Sequence, residues 1–389
     1  MAAAADMPRM MRPGHGLMLI VFALLTLGVV MVNSAGLTID PPRGIDLKQV
    51  LLGRPTVLAM VAVGMLLIGS RIPVQRLYTA RGLASPVPWI ILGSLVLLVA
   101  VHVPGIGREV NGARRWISLG PIGFQPSEVA KWGLIIVLAW YAARRAGAMG
   151  SLWRGFAPPM VLVGVICALI ATEDLGTAVL IGMVAVIVLL AGGAKLWHTA
   201  LLAPPAAVAV GAALLSSPYR VDRLRAFLDP YQDAQGIGYH MIQSMAAVAG
   251  GGLAGRGLGN GVQKFGYLPE DTTDFIFAII CEELGLIGAV VVVCLYAGLL
   301  LCGLAIIRRA ADSFSRLLGL GILATIGLQA LINMAVVTGL APTKGIALPL
   351  LSSGGTGWAL TAFCVGLLVS MDRANAAQVA EAPSIAGPG

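Results

Sequence analysis

Three carboxylates, Glu270, Asp271 and Asp274, stand within five positions of one another, directly before the apolar run Phe275-Ile276-Phe277-Ala278-Ile279-Ile280. Carboxylates this close raise one another's pKa, which suits a general base or a cation site. Charge beside a bilayer is costly, so such a cluster at the mouth of an apolar helix marks a site for chemistry or substrate capture. An aspartate at a helix start can also simply cap it or favour its dipole. Thr272 and Thr273 can fill that capping role equally well, which would leave Asp274 free.

Basic residues recur in two other places. Val110-Asn111-Gly112-Ala113-Arg114-Arg115-Trp116-Ile117 leads to Gln125-Pro126-Ser127-Glu128-Val129-Ala130-Lys131-Trp132. Pro126 and Ser127 start a helix, and Glu128 and Lys131, three apart, share one face of it. They form an ion pair supporting the helix entrance, or else Arg115 and Lys131 meet a phosphate, Arg as a fork and Lys as a point charge. Lys344 sits in Ala341-Pro342-Thr343-Lys344-Gly345, ahead of Pro349 and the run Ser352-Ser353-Gly354-Gly355. A lysine here can snorkel to an interface. Irregular backbone at membrane depth, however, is tolerated only where it is buried in protein or lines a cavity, so a polar cavity is expected. Glu173-Asp174 and Glu282-Glu283 add acids near or within helices, either paired and structural or functional.

Other chemistries lack support. His15, His102, His198 and His240 show no metal-ligand spacing, and the five cysteines form no CxxC pair, reading as small buried side chains. No nucleophile elbow, zinc-protease helix, phosphate loop or dinucleotide fingerprint occurs in a credible context, which argues against soluble-type hydrolases and ATP-driven pumps.

The elements that position these residues must cross a membrane. With 58% hydrophobic and 11% charged residues, and a mean hydropathy of +0.89, lipid has to act as solvent. The expected fold class is an all-α polytopic membrane protein with ten transmembrane helices, at about 17–36, 54–70, 86–104, 127–143, 156–172, 175–194, 197–216, 274–306, 317–340 and 346–371. The eighth exceeds the hydrocarbon thickness and should tilt or kink near Gly285 or Gly288. A large extracytoplasmic loop, 217–273, separates helices seven and eight and carries amphipathic pieces such as 223–228; a loop this long is expected to be functional or disordered. Residues 1–16 form a cytoplasmic N-terminal tail, 17–373 the membrane domain, and 374–389 a disordered cytoplasmic tail. Arg9 and Arg12 precede the first span without a cleavage motif, so that span should remain as an anchor. Thirteen Lys and Arg fall on one side, including Arg71, Arg144, Arg309 and Arg373, against seven in the short loops of the other, including Arg43, Lys48, Arg115 and Lys344. This places both termini in the cytoplasm. The net charge of +8 suits anionic lipid or an anionic substrate; its scatter between apolar spans argues against nucleic acid.

Taken in order, these motifs resemble the SEDS family, the shape, elongation, division and sporulation proteins, over about 9–373. The resemblance rests on Asn-Gly-Ala-Arg-Arg-Trp-Ile, Gln-Pro-Ser-Glu-Val-Ala-Lys, Asp-Leu-Gly-Thr at 174–177, and Tyr-Arg-Val-Asp-Arg-Leu-Arg-Ala-Phe-Leu-Asp-Pro at 219–230. Gln243-Ser244, Leu-Pro-Glu-Asp-Thr-Thr-Asp-Phe-Ile-Phe-Ala at 268–278 and Pro-Thr-Lys-Gly at 342–345 complete it. The 219–230 and 268–274 runs look nearer the division branch than the elongation branch.

The resemblance implies an inner-membrane peptidoglycan glycosyltransferase that polymerises lipid II, an undecaprenyl-diphosphate-linked disaccharide-pentapeptide. The family's loop aspartate matches Asp274, which would act as the base on the acceptor sugar hydroxyl. That hydroxyl attacks the donor sugar at C1 and expels undecaprenyl diphosphate with inversion. Arg115, Trp116, Glu128, Lys131, Arg220, Arg223, Gln243, Ser244, Lys264, Glu270, Thr343, Lys344 and Ser352 are the candidate substrate-binding residues, with Mg²⁺ or Mn²⁺ a possible helper of unassigned site. The implied partners are a class B penicillin-binding protein, which supplies the transpeptidase chemistry, and other division proteins. Three positions depart from the family pattern: Thr272 where a histidine is usual, Glu173 for proline and Ser353 for tyrosine. Alternative readings are a lipid II flippase using the same cationic cavity, an elongation-branch polymerase, or a scaffold recruiting the transpeptidase.

Overall fold

The computed structural model describes residues 12–36, 52–80, 82–110, 113–119 and 122–381. Arg9, Arg43, Lys48, Asn111, Gly112 and the tail from 382 lie outside these residues. The apolar runs form α1 (Pro13–Ala35), α2 (Arg54–Arg71), α4 (Pro86–Ala100), α5 (Pro126–Arg144), α6 (Ala157–Ala171), α7 (Leu175–Ala191), α8 (Leu196–Leu215), α11 (Ile276–Arg309), α12 (Ser313–Val337) and α13 (Gly355–Glu381). The short helices α3 (Val74–Thr79), α9 (Pro218–Leu228) and α10 (Tyr239–Gly250) lie between them. Each expected span thus has a helix. Among the described residues seven helices are long and apolar enough to cross a membrane, α6 counting with the π-helical turn Leu152–Phe156, and α4 and α7 are shorter apolar helices.

Periodicity decides which faces are buried. On α1, Leu17, Val21, Leu24 and Met31 repeat at helical spacing and are fully buried. They pack chiefly on α11, and also on α13 and α2. The α2–α13 crossing is held by backbone proximity: a Cβ at Gly69 would meet the Phe363 carbonyl oxygen at 2.3 Å, and one at Gly366 the Leu66 oxygen at 2.3 Å. Small residues at such crossings allow the dispersion contacts that associate helices in lipid. In contrast, α8 is almost wholly exposed along its length, with only His198 buried.

α11 is two helices in one. Gly285 breaks it with φ 65° and ψ −161°, a conformation that an L side chain resists, and a Cβ there would lie 2.3 Å from the Gly255 nitrogen. The kink expected near Gly285 or Gly288 therefore falls at Gly285. A segment of the long loop fills the break. Arg256 and Gly257 N–H donate to the Glu282 and Glu283 carbonyls, both at 3.0 Å, and Gly252 O accepts from Leu286 N–H at 2.9 Å. Backbone groups freed by the break are thereby satisfied by protein rather than left in hydrocarbon.

Four features extend or correct the sequence reading. A three-stranded antiparallel sheet, β1 (Gly107–Val110), β2 (Ala113–Leu119) and β3 (Ile122–Phe124), joins α4 to α5 and adds to the helical class. The 217–273 loop contains α9 and α10, with the amphipathic piece 223–228 forming the end of α9. The last span starts at Gly355 rather than 346, because Pro349 and the Ser-Gly run hold residues 338–354 as an irregular strap. Helix also continues over 374–381, where the tail was expected to be disordered.

The sheet, the α6–α7 turn, the long loop and the strap gather at one end of the bundle. The opposite end carries an arginine-rich rim, in which Arg144 donates to the Tyr78 oxygen at 2.6 Å and Arg373 to the Ser70 oxygen at 3.2 Å.

Candidate active site

Asp274 lies in the turn that ends at α11, one residue before the Phe275 N-cap, so it is not the cap itself. Partly exposed but hemmed in by protein, its carboxyl is pushed up to about 7, first by burial and then by Glu270 and Asp174, against the pull of Arg223 and Arg115. Asp271 is pushed up to about 6, again chiefly by burial. Glu270 sits at φ 56°, and its carboxylate accepts from Thr273 Oγ1 at 2.7 Å.

Two arginines from distant segments act on this carboxylate, and Lys344 stands beside its neighbour Asp174. Arg115 comes from β2, where successive side chains point to opposite faces, so Arg115 turns to the site while Trp116 lies over Gly123 of β3. Arg115 Nη1 is 4.0 Å from Asp174 Oδ2, and its Nε is buried without a hydrogen-bond partner. Asp174 caps α7 through Thr177 N–H at 3.0 Å and Thr177 Oγ1 at 2.8 Å. Arg223 stacks on Tyr219 at 4.4 Å and reaches the Thr343 carbonyl at 3.4 Å. Lys344 is half-buried; burial lowers its pKa while Asp174 opposes that. Gly345 makes room for the pair at the centre: a Cβ there would lie 3.2 Å from Asp274 Oδ2 and 3.6 Å from Arg115 Nη1.

Asp274, Glu270, Arg115, Arg223, Thr343 and Lys344 are thus brought together, and Asp174 and His240 join them. His240 packs near the Phe275 ring at 6.1 Å, and burial followed by Arg223 lowers its pKa. Other expected site residues are spent elsewhere. Lys131, 2% exposed, donates to Glu128 at 2.7 Å and to Gln329 Oε1 at 3.0 Å, the ion-pair alternative rather than a phosphate contact. Arg220 donates to the carbonyls of Ala171 and Ala213, both at 2.7 Å, bracing helix ends. Buried Ser244 donates to Val337 O at 2.8 Å, and buried Ser352 accepts from Leu348 N–H at 2.7 Å. Gln243 is half-buried on α10, and the Trp116 ring packs over Gly123 of β3.

Lys264 lies apart from this group. It is fully buried against Glu283 at 2.8 Å and reaches Ser34 at 3.3 Å. Glu283 also accepts from Gly259 N–H at 3.0 Å and Ser34 Oγ at 2.7 Å, while Glu282 accepts from Val262 N–H at 2.9 Å and pairs with Arg256 at 3.4 Å. Both acids of the Glu282-Glu283 pair are therefore paired and structural, and they pin the loop that ends in Asp274.

Sequence reasoning missed two residues of α12. Asn333 Nδ2 donates to the carbonyls of Asp274 and Ile346, both at 2.8 Å, and Gln329 Nε2 donates to Ala347 O at 2.8 Å. Amides one turn apart inside an apolar helix were the available signal. Among the described residues no three His, Cys, Asp or Glu side chains cluster closely enough to hold a metal.

A carboxyl with a raised pKa beside two arginines and near a lysine strap, at one end of a polytopic helix bundle, is an arrangement that can take up a proton next to a bound anion. The chain belongs to the cell cycle protein family of FtsW, RodA and SpoVE, whose pattern matches residues 15–377. It is 39% identical over 356 residues to a probable peptidoglycan glycosyltransferase FtsW of Geobacter sulfurreducens, covering 91% of this chain and 94% of that protein. To the protein of that name from Alkalilimnicola ehrlichii it is 42% identical over 366 residues, 92% and 88% of the two chains. A solved peptidoglycan synthase complex, described as coordinating polymerization and crosslinking, contains a chain that superposes with a TM-score of 0.73 at 30% identity, covering 93% of this chain and 98% of that one. The Thermus thermophilus rod shape determining protein RodA superposes with a TM-score of 0.66 at 28% identity, covering 92% and 96%.

Proposed function

We propose that this protein is a peptidoglycan glycosyltransferase of the division branch, polymerising lipid II at the site around Asp274. The observation that carries this reading is a carboxyl pushed up to about 7 beside Arg115 and Arg223, with Lys344 near the adjoining Asp174. A base poised near working pH takes a proton most effectively, and a departing diphosphate needs positive charge. Asp274 removes the proton of the acceptor sugar hydroxyl. The hydroxyl oxygen then forms its bond to the donor sugar C1 as the bond to diphosphate breaks, inverting that carbon. Arg115, Arg223 and Lys344 receive the developing phosphate charge. Asp274 and Glu270 offer the one or two carboxylates with which Mg²⁺ or Mn²⁺ is commonly held beside substrate phosphates; such an ion would supply further charge neutralisation.

The arginine-rich rim supports an orientation with that end, and both termini, in the cytoplasm and the site on the outer face of the inner membrane. A class B penicillin-binding protein, acting with other division proteins, is the partner that would crosslink the product. The similar chain in a complex described as coordinating polymerization and crosslinking supports this pairing.

The test uses purified protein, lipid II and a divalent cation, with and without the candidate penicillin-binding partner, reading glycan length on a gel. Polymer from the wild type and none from folded Asp274→Ala is expected. No polymer under either condition, with labelled lipid II crossing proteoliposomes, would replace the polymerase by a transporter.

A further inference from the structure

We propose that Asn333 is a positioning residue for this reaction: its amide ties the Asp274 turn to the Lys344 strap and fixes the spacing of base and cation. The side chain is 1% exposed, deep on α12, and spends both amide hydrogens, one on the Asp274 carbonyl and one on the Ile346 carbonyl, each at 2.8 Å. Two carbonyl partners demand two donors, so the contacts themselves fix the amide's orientation. Its Oδ1 is left buried without a partner. An apolar residue would leave two carbonyls unmet, a serine could satisfy just one, and a lysine would add a charge beside Asp274.

The two segments joined are not otherwise neighbours in sequence or in secondary structure. Strap residues 342–348 have neither helix nor strand to set their course. Their backbone is steered by side chains instead, with Asn333 on Ile346 and Gln329, one turn earlier, on Ala347 at 2.8 Å. Only Asn333 reaches across to the Asp274 turn with the same group. A second link, Ser353 N–H to Thr272 O at 2.8 Å, joins the far end of the strap to that turn, so the two segments are clamped at both ends. Lys344 and the Gly345 gap that admits Asp274 and Arg115 lie immediately before the Asn333 clamp at Ile346. Loss of the Asn333 rung frees the end nearer the reacting groups while leaving the ionisable side chains present.

Asn333→Leu removes the donors at similar volume, and Asn333→Gln restores an amide. Ser370→Ala, which deletes a hydrogen bond to Ile72 O at the opposite end, is the control for losing a buried polar contact. With lipid II as substrate, Asn333→Leu should lower kcat about 100-fold with KM within twofold, since misplacement by about 1 Å has that effect. Asn333→Gln should recover part of the loss, and Ser370→Ala should match the wild type. Hydrogen–deuterium exchange on the same proteins should rise together in 270–275 and 343–348 for Asn333→Leu. The kinetic arm rests on the polymerase reading. If the wild type makes no polymer, that reading fails, and the exchange arm alone decides the tether. Unchanged kcat, a KM rising in step with the loss, or faster exchange in one segment only or along all of α12 overturns the proposal.

Discussion

A carboxyl hemmed in by protein and with a raised pKa costs the fold stability, and the size of that cost can be measured by removing the charge. Asp274 moves from the ordinary 3.8 to about 7 in the folded chain. Three pKa units correspond to about 4 kcal/mol of penalty on the ionised form. The sign follows from which form folding disfavours. Below the unfolded pKa the carboxyl is neutral in both states and costs nothing; between the two values the unfolded chain ionises first and stability drains away. Above the folded value the penalty is constant. Integrated, it is about 2 kcal/mol at pH 5 and about 4 kcal/mol at pH 8. Asp274→Asn keeps the shape without the charge. Relative to wild type, it should therefore gain thermal stability in detergent as pH rises from 5 to 8, with the gap levelling off beyond. Fluorescence-detected size-exclusion after heating at several pH values reads this directly, and titrating groups that do not interact with Asp274 cancel in the difference. The same variant should make no glycan, so stability and activity part company at one atom pair. A gap that does not change with pH, or a variant less stable than wild type at pH 8, refutes the reasoning.

Further predictions follow from the same geometry. Initial rates should fall about tenfold per pH unit below 7, and Glu270→Gln, by removing a like charge, should move that acid limb to lower pH; an unmoved limb argues against Asp274 as the base. Lys264→Met strands Glu283 in a fully buried position, costing about 3–5 kcal/mol, so folded yield should drop while surviving protein keeps its donor KM. Normal stability with a raised KM would instead return Lys264 to the substrate site. Gly345→Ala places a methyl 3.2 Å from Asp274 Oδ2 and should cut kcat by up to about 100-fold without loss of the folded peak; wild-type turnover would mean the gap is not needed.

Asp274, Arg115 and Lys344 were legible because a charge where water meets lipid must earn its place, and a chain this apolar has few of them. Arg220, Ser244, Lys264 and Ser352 look the same in sequence, yet their polar groups are consumed by carbonyls, amides or Glu283. Residue type does not reveal which way a side chain turns, and the partner can be far off: Ser34 and Glu283 are 249 positions apart. Asn333 was hidden for the opposite reason: with Gln329 it is one of two amides inside an apolar run whose length alone explained it. The helices were readable from hydropathy, and the break from its glycine. The sheet was less so, although the Asn-Gly at 111–112 is a hairpin signal between two short runs. The start of α13 was misplaced because the strap is as apolar as a helix and only Pro349 and the Ser-Gly run mark it as something else.

The contacts of α1 also say something about how the chain is made. The strongest polar tie of this first helix, Ser34 to Glu283 and Lys264, spans 249 and 230 positions, and its other end is closed by Asp372 on Gly14 N–H, 358 positions away. At about 5–20 residues per second of synthesis, Ser34 waits roughly 12–50 s for its carboxylate to emerge. Through that interval the face of Leu17, Val21, Leu24 and Met31 lacks its main partners, α11 and α13, and has only α2 to pack on. Insertion and compaction are therefore separate events for this protein. A ribosome-bound chain ending before α11 should be fully membrane-integrated yet leave α1 open to crosslinking by lipid, and the bundle closes only when its last helices return to its first.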